Sequence, residues 1–511
     1  MQHRILNFLQ SRTFLLLIIG AFALQASWIA LTGRYPGAFD ENFHFGLIRM
    51  YAQHWSPFLD AQPPNAEVYG AVARDPSYLY HYLMSFPYRF IAVLTHSQTT
   101  QIIILRLINV AFATAGLLIY AKILRRTRLA LSLQNVVVLL FVSIPIFPLL
   151  AGQINYDNLL LILVGLAVLW TLQFTEYIQK GILSGRLLGQ IIVVCIVACL
   201  VKYAFLPLGL ALLLFTGLTI IRRPEVIGHY GVRPLLDRFL LAFRRWPVLL
   251  LASFFIIASG LFFQRFGVNM VRYHTPVPDC SQVITTDECS AYAPWQRDYL
   301  FAQNNTAWER ENIITYANMW IHQMVRELYF TVYGAFFPNS TVVDYKTAEP
   351  LPFMIILGWT LLISGVIAIV AYLPKLWHDP TLRLFGLMIL LYVGILFVQN
   401  YKMYVETAVP VAIHGRYLLP VLPLLGVIYF RAYSLLFGSL SIRHKHVATH
   451  KDTVLLVGWV VLLFICFQGG GIFTHIVRSN SQWFWQQSSV AQSANEAVRN
   501  ALRPLIIEEK L

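Results

Sequence analysis

Apolar runs of about 20 residues recur along the whole chain and are separated by polar loops of very different lengths. Such a run, wound as a helix, is long enough to cross the roughly 30 Å hydrocarbon core of a bilayer. Because backbone polar groups must be satisfied inside a bilayer, repeated runs of this kind predict helices. The pattern therefore predicts an all-α polytopic membrane protein with about 11 transmembrane helices, in a range of roughly 10 to 13.

The basic residues are concentrated in short loops between the apolar runs. Arg125, Arg126 and Arg128 follow the second run, and a further series lies between Arg222 and Arg245. Lys and Arg accumulate in the cytoplasmic loops of membrane proteins. We therefore predict a multi-pass protein of the plasma or inner membrane, with its N-terminus in the cytoplasm and its two long polar loops outside.

This topology divides the chain into four regions. Residues 1–263 form an N-terminal transmembrane region, in which 33–97 is the first extracytoplasmic loop. Residues 264–349 form a large extracytoplasmic loop, and 350–478 form a C-terminal transmembrane region. The remaining residues, 479–511, are predicted to be an extracytoplasmic tail.

The composition agrees with this class and argues against a nucleic-acid-binding protein. Of the 511 residues, 58% are hydrophobic and 12% are charged, whereas an ordinary soluble domain has about 25% charged residues. The net charge of +14 arises from the short basic loops. The lipid bilayer is therefore the expected partner, and nucleic acid is not.

An unusual acidic segment follows the first apolar run. Residues 39–45 read Phe-Asp-Glu-Asn-Phe-His-Phe, so that Asp40, Glu41 and His44 lie within about one helical turn. Apolar side chains repeat at helical spacing, at Phe39, Phe43, Leu47 and Met50. This pattern predicts an amphipathic helix on the bilayer surface. Two interpretations are open: the carboxylates form a functional site, or Asp40 only caps the helix.

Other polar residues are predicted on the same outer side, and ionisable groups at membrane level are costly and often functional. For Asp157 the alternative is a helix cap, for Lys202 a snorkelling side chain, and for Arg416 an interfacial anchor. The candidates for substrate binding are His44, Asn155, Asp157, His414 and Tyr417.

A carboxylate that faces cations across a cavity at membrane level suits the transfer of a sugar from a lipid phosphate. Asp40 or Glu41 would take the proton of the acceptor. Arg416, together with Lys202 or Lys402, would stabilise the leaving phosphate. The same charges also suit a lipid-linked glycan transporter or flippase, or a non-catalytic envelope assembly protein. The chain shows no convincing internal repeat of the kind that is common in transporters.

Two of the five cysteines, Cys280 and Cys289, lie in the large loop that is predicted to face an oxidising space. We therefore expect a disulfide between them. Cys195 and Cys199 lie four residues apart in an apolar run, and their position favours a packing role.

Three short motifs resemble those of a bacterial branch of the GT-C class of integral-membrane glycosyltransferases. Residues 40–45 are similar to its D-E-x-x-H-F motif, residues 414–420 contain G-R-Y-x-x-P, and residues 155–158 are similar to its asparagine- and aspartate-containing turn. The resemblance implies that Asp40 is the catalytic base, with Glu41 second. It implies a polyprenyl-phosphate sugar donor and a glycan, lipid or protein acceptor.

The chain departs from the pattern of this class in two respects. Its large loop precedes the last apolar runs instead of forming a C-terminal globular domain. It also has no clear D-x-D pair, so no cofactor is assigned and a divalent metal is not indicated.

Overall fold

The structure, a computed structural model, describes residues 2–37, 40–59, 61–225, 246–304, 312–329, 331–336, 343–348, 352–443, 451–469, 472–479 and 489–507. Phe39 of the acidic segment and the basic residues between 226 and 245 lie outside the described residues.

Within the described residues of 2–225 the chain forms ten α-helices, together with two short 3₁₀ helices at Glu67–Tyr69 and Tyr203–Phe205. The ten helices are α1 (Gln2–Leu9), α2 (Arg12–Thr32), α3 (Glu41–Tyr51), α4 (Leu79–Leu94), α5 (Gln98–Leu124), α6 (Leu131–Val142), α7 (Ile146–Ala151), α8 (Tyr156–Gln179), α9 (Gly185–Val201) and α10 (Leu206–Ile221).

The described residues after 245 are also mainly helical, and among them one antiparallel hairpin pairs Thr331–Phe336 with Val343–Ala348. This hairpin was not predicted from the sequence. Among the described residues there, Gly415–Leu418 and Arg503–Leu505 are 3₁₀ helices, and the π-helical turn Phe263–Gly267 joins two α-helices into one continuous segment. The α-helices are Trp246–Phe262, Val268–Tyr273, Cys280–Val283, Thr286–Cys289, Ala293–Asn304, Ile313–Tyr329, Pro352–Trp377, Pro380–Thr407, Leu422–Arg443, Lys451–Gly469, Ile472–Arg478 and Ser489–Leu502.

The apolar helices confirm the predicted polytopic class. Among the described residues, 6 helices are long and apolar enough to cross a membrane: Arg12–Thr32, Gln98–Leu124, Tyr156–Gln179, Tyr203–Ile221, Trp246–Tyr273 and Pro380–Thr407. Shorter apolar helices lie at Leu131–Val142, Gly185–Val201, Leu362–Trp377, Leu422–Phe437 and Leu456–Gln468. Together they agree with the number of spans expected from the sequence.

Two predicted boundaries differ from the structure, and one predicted break is present. The large loop was expected to begin at Gln264, but the helix continues through Tyr273, and Arg265 within it is buried and donates a hydrogen bond to Pro57 of the first loop. The third apolar run, which was expected to be broken by Pro145 and Pro148, is indeed divided into α6 and α7 at Ser143–Pro145. Arg416 does not open a span, since it lies in a 3₁₀ turn before the helix Leu422–Arg443.

Glycines bring α5 and α8 close together in the centre of the molecule. A Cβ atom added at Gly116 would lie 2.8 Å from Leu161, and one added at Gly165 would lie 2.9 Å from Ile119. Small residues allow close approach of helices in a membrane, where van der Waals packing drives association. The two glycines thus allow α5 and α8 to pack closely against each other.

Candidate functional site

A buried ion pair fixes the start of α3. Glu41 accepts hydrogen bonds from Arg106 Nε at 2.7 Å and from Arg106 Nη2 at 2.6 Å, and their side chains are 0% and 1% exposed. Glu41 also accepts from the backbone N–H groups of Gly37 and Ile154. Arg106 in turn donates to the backbone carbonyls of Gly33 and Arg34, just after α2. The pair therefore ties together the end of α2, the start of α3, and α5.

This geometry corrects two expectations. Glu41 was expected to be a second catalytic carboxylate, but all its acceptor positions are occupied inside the protein, so it cannot receive a proton from a substrate. The helix α3 was expected to lie on the bilayer surface. It is instead packed inside the protein on most of its circumference, because His44, Leu47, Ile48 and Tyr51 are all buried.

Asp40 has the opposite environment to its neighbour. Its side chain is 66% exposed, and Arg416 Nη2 lies 3.4 Å from its Oδ2 atom. Asp40 occupies the N-cap position of α3, but its side chain makes no capping hydrogen bond, and its φ of 66° lies in the left-handed region. The interpretation of Asp40 as a simple helix cap is therefore wrong for this geometry.

The turn that carries Arg416 is held by tyrosines from two spans. Tyr392 donates a hydrogen bond to the carbonyl of Tyr417, and Tyr120 donates one to the carbonyl of Pro420. The Arg416 side chain is only 11% exposed, and its guanidinium lies 5.2 Å from the centre of the Tyr417 ring. Arg416 is thus a positioned charge inside the protein, which argues against a mobile interfacial anchor.

Helix Ile313–Tyr329 of the large loop packs on the same turn. Its residues Tyr316, Trp320 and Met324 form a buried apolar cluster with Ile413, and Leu418 packs against this cluster. Trp320 also donates a hydrogen bond to Asn400 at 3.0 Å. The large loop therefore packs against the Arg416 turn in addition to the two tyrosines of the spans.

Lys202 and Asp157 form a second ion pair beside Arg416. Lys202 Nζ lies 2.6 Å from Asp157 Oδ1, and both side chains are mostly buried. The ammonium lies 4.6 Å from the centre of the Tyr156 ring and 5.3 Å from that of Tyr417. Lys202 is therefore not a snorkelling side chain, and Asp157 is not the cap of α8, because Asn155 accepts the capping hydrogen bond.

These contacts also affect the titration of Arg416. Burial alone would lower the pKa of Arg416, but Tyr417, Asp157 and Asp40 act in the opposite direction and raise it above its usual value. The guanidinium consequently stays charged in this setting.

Buried polar side chains connect the acidic segment to α4 and α8. His44 Nδ1 lies 2.9 Å from His81 Nε2, and His44 Nε2 lies 3.1 Å from Asn155 Nδ2. Asn109 of α5 accepts hydrogen bonds from Tyr80 and from Asn158. The predicted site residues His44 and Asn155 are therefore brought together, but as buried supports rather than as exposed ligands.

Both imidazoles of this network are held neutral. Burial lowers the pKa of His44 well below its usual value, and His81 and Arg416 lower it further. Burial lowers the pKa of His81 to about 3. Neither histidine can therefore supply a proton near neutral pH.

Two predicted residues take less part in this arrangement. Lys402 is 75% exposed, and its contact is an ion pair with Glu406 at 3.7 Å. The structure thus does not bring Lys402 to Asp40 or Arg416. His414 is half-buried beside Tyr417, with ring centres 6.1 Å apart.

Arg106 and His81 were not assigned to the site from the sequence, although both support it. A signal for Arg106 was present, because it is an ionisable residue inside the second apolar run, and such residues are costly unless they are paired. His81 was noted only as one of the unusual polar residues before the second span, and its contact with His44 could not be predicted because His44 lies on another helix. Cys280 and Cys289 form a disulfide, as the sequence suggested. Among the described residues, no group of three His, Cys, Asp or Glu side chains is placed to hold a metal ion.

Comparisons with known proteins give one similar structure. No family model and no curated protein sequence matches the chain. The chain is similar to the crystal structure of ArnT from Cupriavidus metallidurans bound to undecaprenyl phosphate, with a TM-score of 0.35 and 13% sequence identity. The similarity covers 96% of this chain and 70% of that one. At this TM-score it identifies neither a site nor a substrate here.

Proposed function

We propose that this protein is a membrane glycosyltransferase of the GT-C type. It would move a sugar from a polyprenyl-phosphate-linked donor to an acceptor in the cell envelope, on the extracytoplasmic side. The observation that carries this proposal is the exposed carboxylate of Asp40, placed 3.4 Å from the nearly buried guanidinium of Arg416. The motif resemblance of residues 40–45 and 414–420 supports the same class.

The Lys202–Asp157 and Arg416–Asp40 ion pairs lie beside each other, and they differ in how easily a substrate group could replace one partner. Lys202 and Asp157 are in close contact at 2.6 Å and mostly shielded from water. Arg416 and Asp40 are joined by a single long contact, and Asp40 is largely exposed. A donor phosphate would therefore compete with Asp40 for Arg416, since Arg binds phosphate with a fork of donors.

Replacement of Asp40 by the donor phosphate at Arg416 would prepare Asp40 to act as the base. When the phosphate takes the guanidinium, Asp40 loses its counter-ion and is free to accept the proton of an acceptor hydroxyl or amine. Arg416 would then stabilise the charge that develops on the leaving phosphate, with Lys202 as a second cation nearby. The substrate's own groups thus separate Asp40 from Arg416 as the reaction begins.

The anchoring of the site favours an enzyme over a flippase. The residue next to Asp40 is bonded to Arg106 of α5, and His44 is bonded to Asn155 at the start of α8. Catalytic groups gain from such rigid support, because their geometry must be held within a fraction of an ångström. A flippase would instead need α5 and α8 to separate from the segment of Asp40 and His44 while the lipid head group passes.

A binding and transfer experiment tests the proposal. Purified protein in nanodiscs is given undecaprenyl phosphate, with an uncharged polyprenol of the same length as control. A panel of polyprenyl-phosphate sugars is then supplied together with envelope acceptors. We expect binding that depends on the phosphate, and sugar transfer that is lost in Asp40→Asn while binding remains.

Two results would contradict the proposal. Equal binding of the phosphate and of the polyprenol would remove the donor assignment. Movement of a lipid-linked glycan across sealed vesicles, with equal rates for the wild type and Asp40→Asn and with no transfer, would identify a flippase.

A further inference from the structure

A cavity with cationic walls lies between α5 and α8, away from the Asp40 site. Its volume is about 260 Å³, and it is lined by Lys122, Arg125, Arg126, Leu169 and Gln173. The cationic residues belong to the C-terminal end of α5 and the loop after it, where the sequence predicts the cytoplasmic side. The Asp40 site lies instead beside the start of α8, at the other end of that helix.

Within the part of the chain that the structure describes, the positive charge of the cavity is only partly compensated. Arg126 is bonded to Glu176 of α8 through both carboxylate oxygens, at 2.7 and 2.6 Å. Among the described residues, Lys122 and Arg125 form no such ion pair. Lys122 and Arg125 therefore face the cavity without an ion-pair partner in the described chain, whereas Arg126 is bound to α8 at one side of it.

On the α8 side the cavity is lined by the apolar Leu169 and the uncharged Gln173. Leu169 precedes Glu176 by seven residues, which corresponds to about 10 Å along a helix, and its side chain is 8% exposed. A free phosphate ion would use only the cationic rim. A lipid with a phosphate head group and acyl chains would use both the rim and the apolar side chain of Leu169, and basic pockets between transmembrane helices suit such lipids.

We propose that this cavity binds the phosphate head group of an anionic membrane lipid from the leaflet that faces the basic loops. Lys122 and Arg125 hold the phosphate, and Arg126, fixed by Glu176, forms the edge of the site. This lipid is distinct from the proposed donor, which would be used on the opposite side of the bilayer. The proposal does not depend on the catalytic assignment.

The test uses the full chain, purified in a neutral detergent and stripped of lipid. Dioctanoyl phosphatidylglycerol, dioctanoyl phosphatidylcholine and inorganic phosphate are titrated separately, and melting temperature and binding by native mass spectrometry are recorded. We expect phosphatidylglycerol alone to bind and to raise the melting temperature. The double variant Lys122→Ala/Arg125→Ala should bind it roughly ten- to thirty-fold more weakly.

Arg128→Ala is the matched control, because it removes one charge from the same basic loop. The Arg128 side chain is 75% exposed, contacts Asp379 at 3.9 Å, and does not line the cavity. It should keep the affinity of the wild type. All three side chains are exposed, so the variants should fold, and unliganded melting temperatures verify this.

Three outcomes would overturn the proposal. Unchanged affinity in the double variant would show that the cavity is not the site. An equal loss in Arg128→Ala would indicate attraction to the whole basic surface. Inorganic phosphate acting as strongly as phosphatidylglycerol would show a general anion site rather than a lipid site.

Discussion

The adjacent carboxylates of Asp40 and Glu41 should respond in opposite ways to loss of their charge. Asp40→Asn and Glu41→Gln each replace a carboxylate by an amide of nearly the same shape. Asn also tolerates the left-handed backbone of residue 40, where an alanine would add strain. Comparing the two variants therefore separates the effect of losing the charge at residue 40 from the effect of losing it at residue 41.

The expected losses of stability differ by several kcal/mol. Asp40 is 66% exposed and forms one contact at 3.4 Å, and exposed pairs of this kind contribute about 0–1 kcal/mol. Glu41→Gln leaves the Arg106 guanidinium charged at 1% exposure, and breaking a buried pair in this way costs about 3–5 kcal/mol. For stability, Glu41→Gln should therefore be the more damaging of the two changes.

The expected effects on transfer also differ. Loss of a general base lowers a rate by about 10²- to 10⁴-fold, so Asp40→Asn should fold normally and transfer little sugar. Glu41→Gln should give a low yield of folded protein, because Arg106 loses its counter-ion. Any folded fraction should transfer sugar better than Asp40→Asn does.

The assay combines thermal unfolding in detergent with sugar transfer, and it includes Arg106→Gln and the double variant Glu41→Gln/Arg106→Gln. Because the cost arises from an uncompensated charge, the double variant should be more stable than the sum of the single losses predicts. A Glu41→Gln protein as stable as the wild type would refute the reasoning that the buried Glu41–Arg106 ion pair stabilises the fold. Normal transfer by Asp40→Asn would remove the assignment of the base.

Three further predictions follow from the site and its surroundings. Arg416→Lys keeps the charge but loses the fork of donors, so undecaprenyl phosphate should bind roughly ten-fold more weakly or worse in direct titration. Burial lowers the pKa of His44, and lowers that of His81 to about 3. The unfolded chain therefore binds more protons below about pH 6.5, so melting temperature should fall as pH decreases below that value, and His81→Asn should reduce the slope. Reductant should lower the melting temperature by opening the Cys280–Cys289 bridge, whereas a variant with serine at both positions should be insensitive to reductant.

The helical architecture was predictable from the sequence because each span is determined by its own apolar run. A run such as 98–124 needs no information from the rest of the chain to be recognised as a membrane helix. The hairpin at Thr331–Phe336 and Val343–Ala348 was missed, since its two strands lie in a polar loop without an alternating pattern that distinguishes strand from coil.

The site was predictable only as a set of residues, not as a set of roles. The sequence places Asp40, Glu41 and Arg416 on the same side of the membrane, but it does not show which carboxylate contacts which arginine. Glu41 pairs with Arg106, which is 65 residues away, and Asp40 faces Arg416, which is 376 residues away. Such pairings arise from tertiary packing, which local spacing does not encode.

The same packing explains why Asp40 points away from the helix that it begins. A left-handed backbone at a residue other than glycine costs about 1–3 kcal/mol unless its surroundings impose it. Glu41 supplies that constraint, because it holds the Gly37 N–H before Asp40 and the Arg106 guanidinium beside it. With its backbone fixed in this conformation, Asp40 makes no capping bond and its carboxylate lies within reach of Arg416. The buried carboxylate thus positions the exposed one, which is why neither residue can be assigned a role without the other.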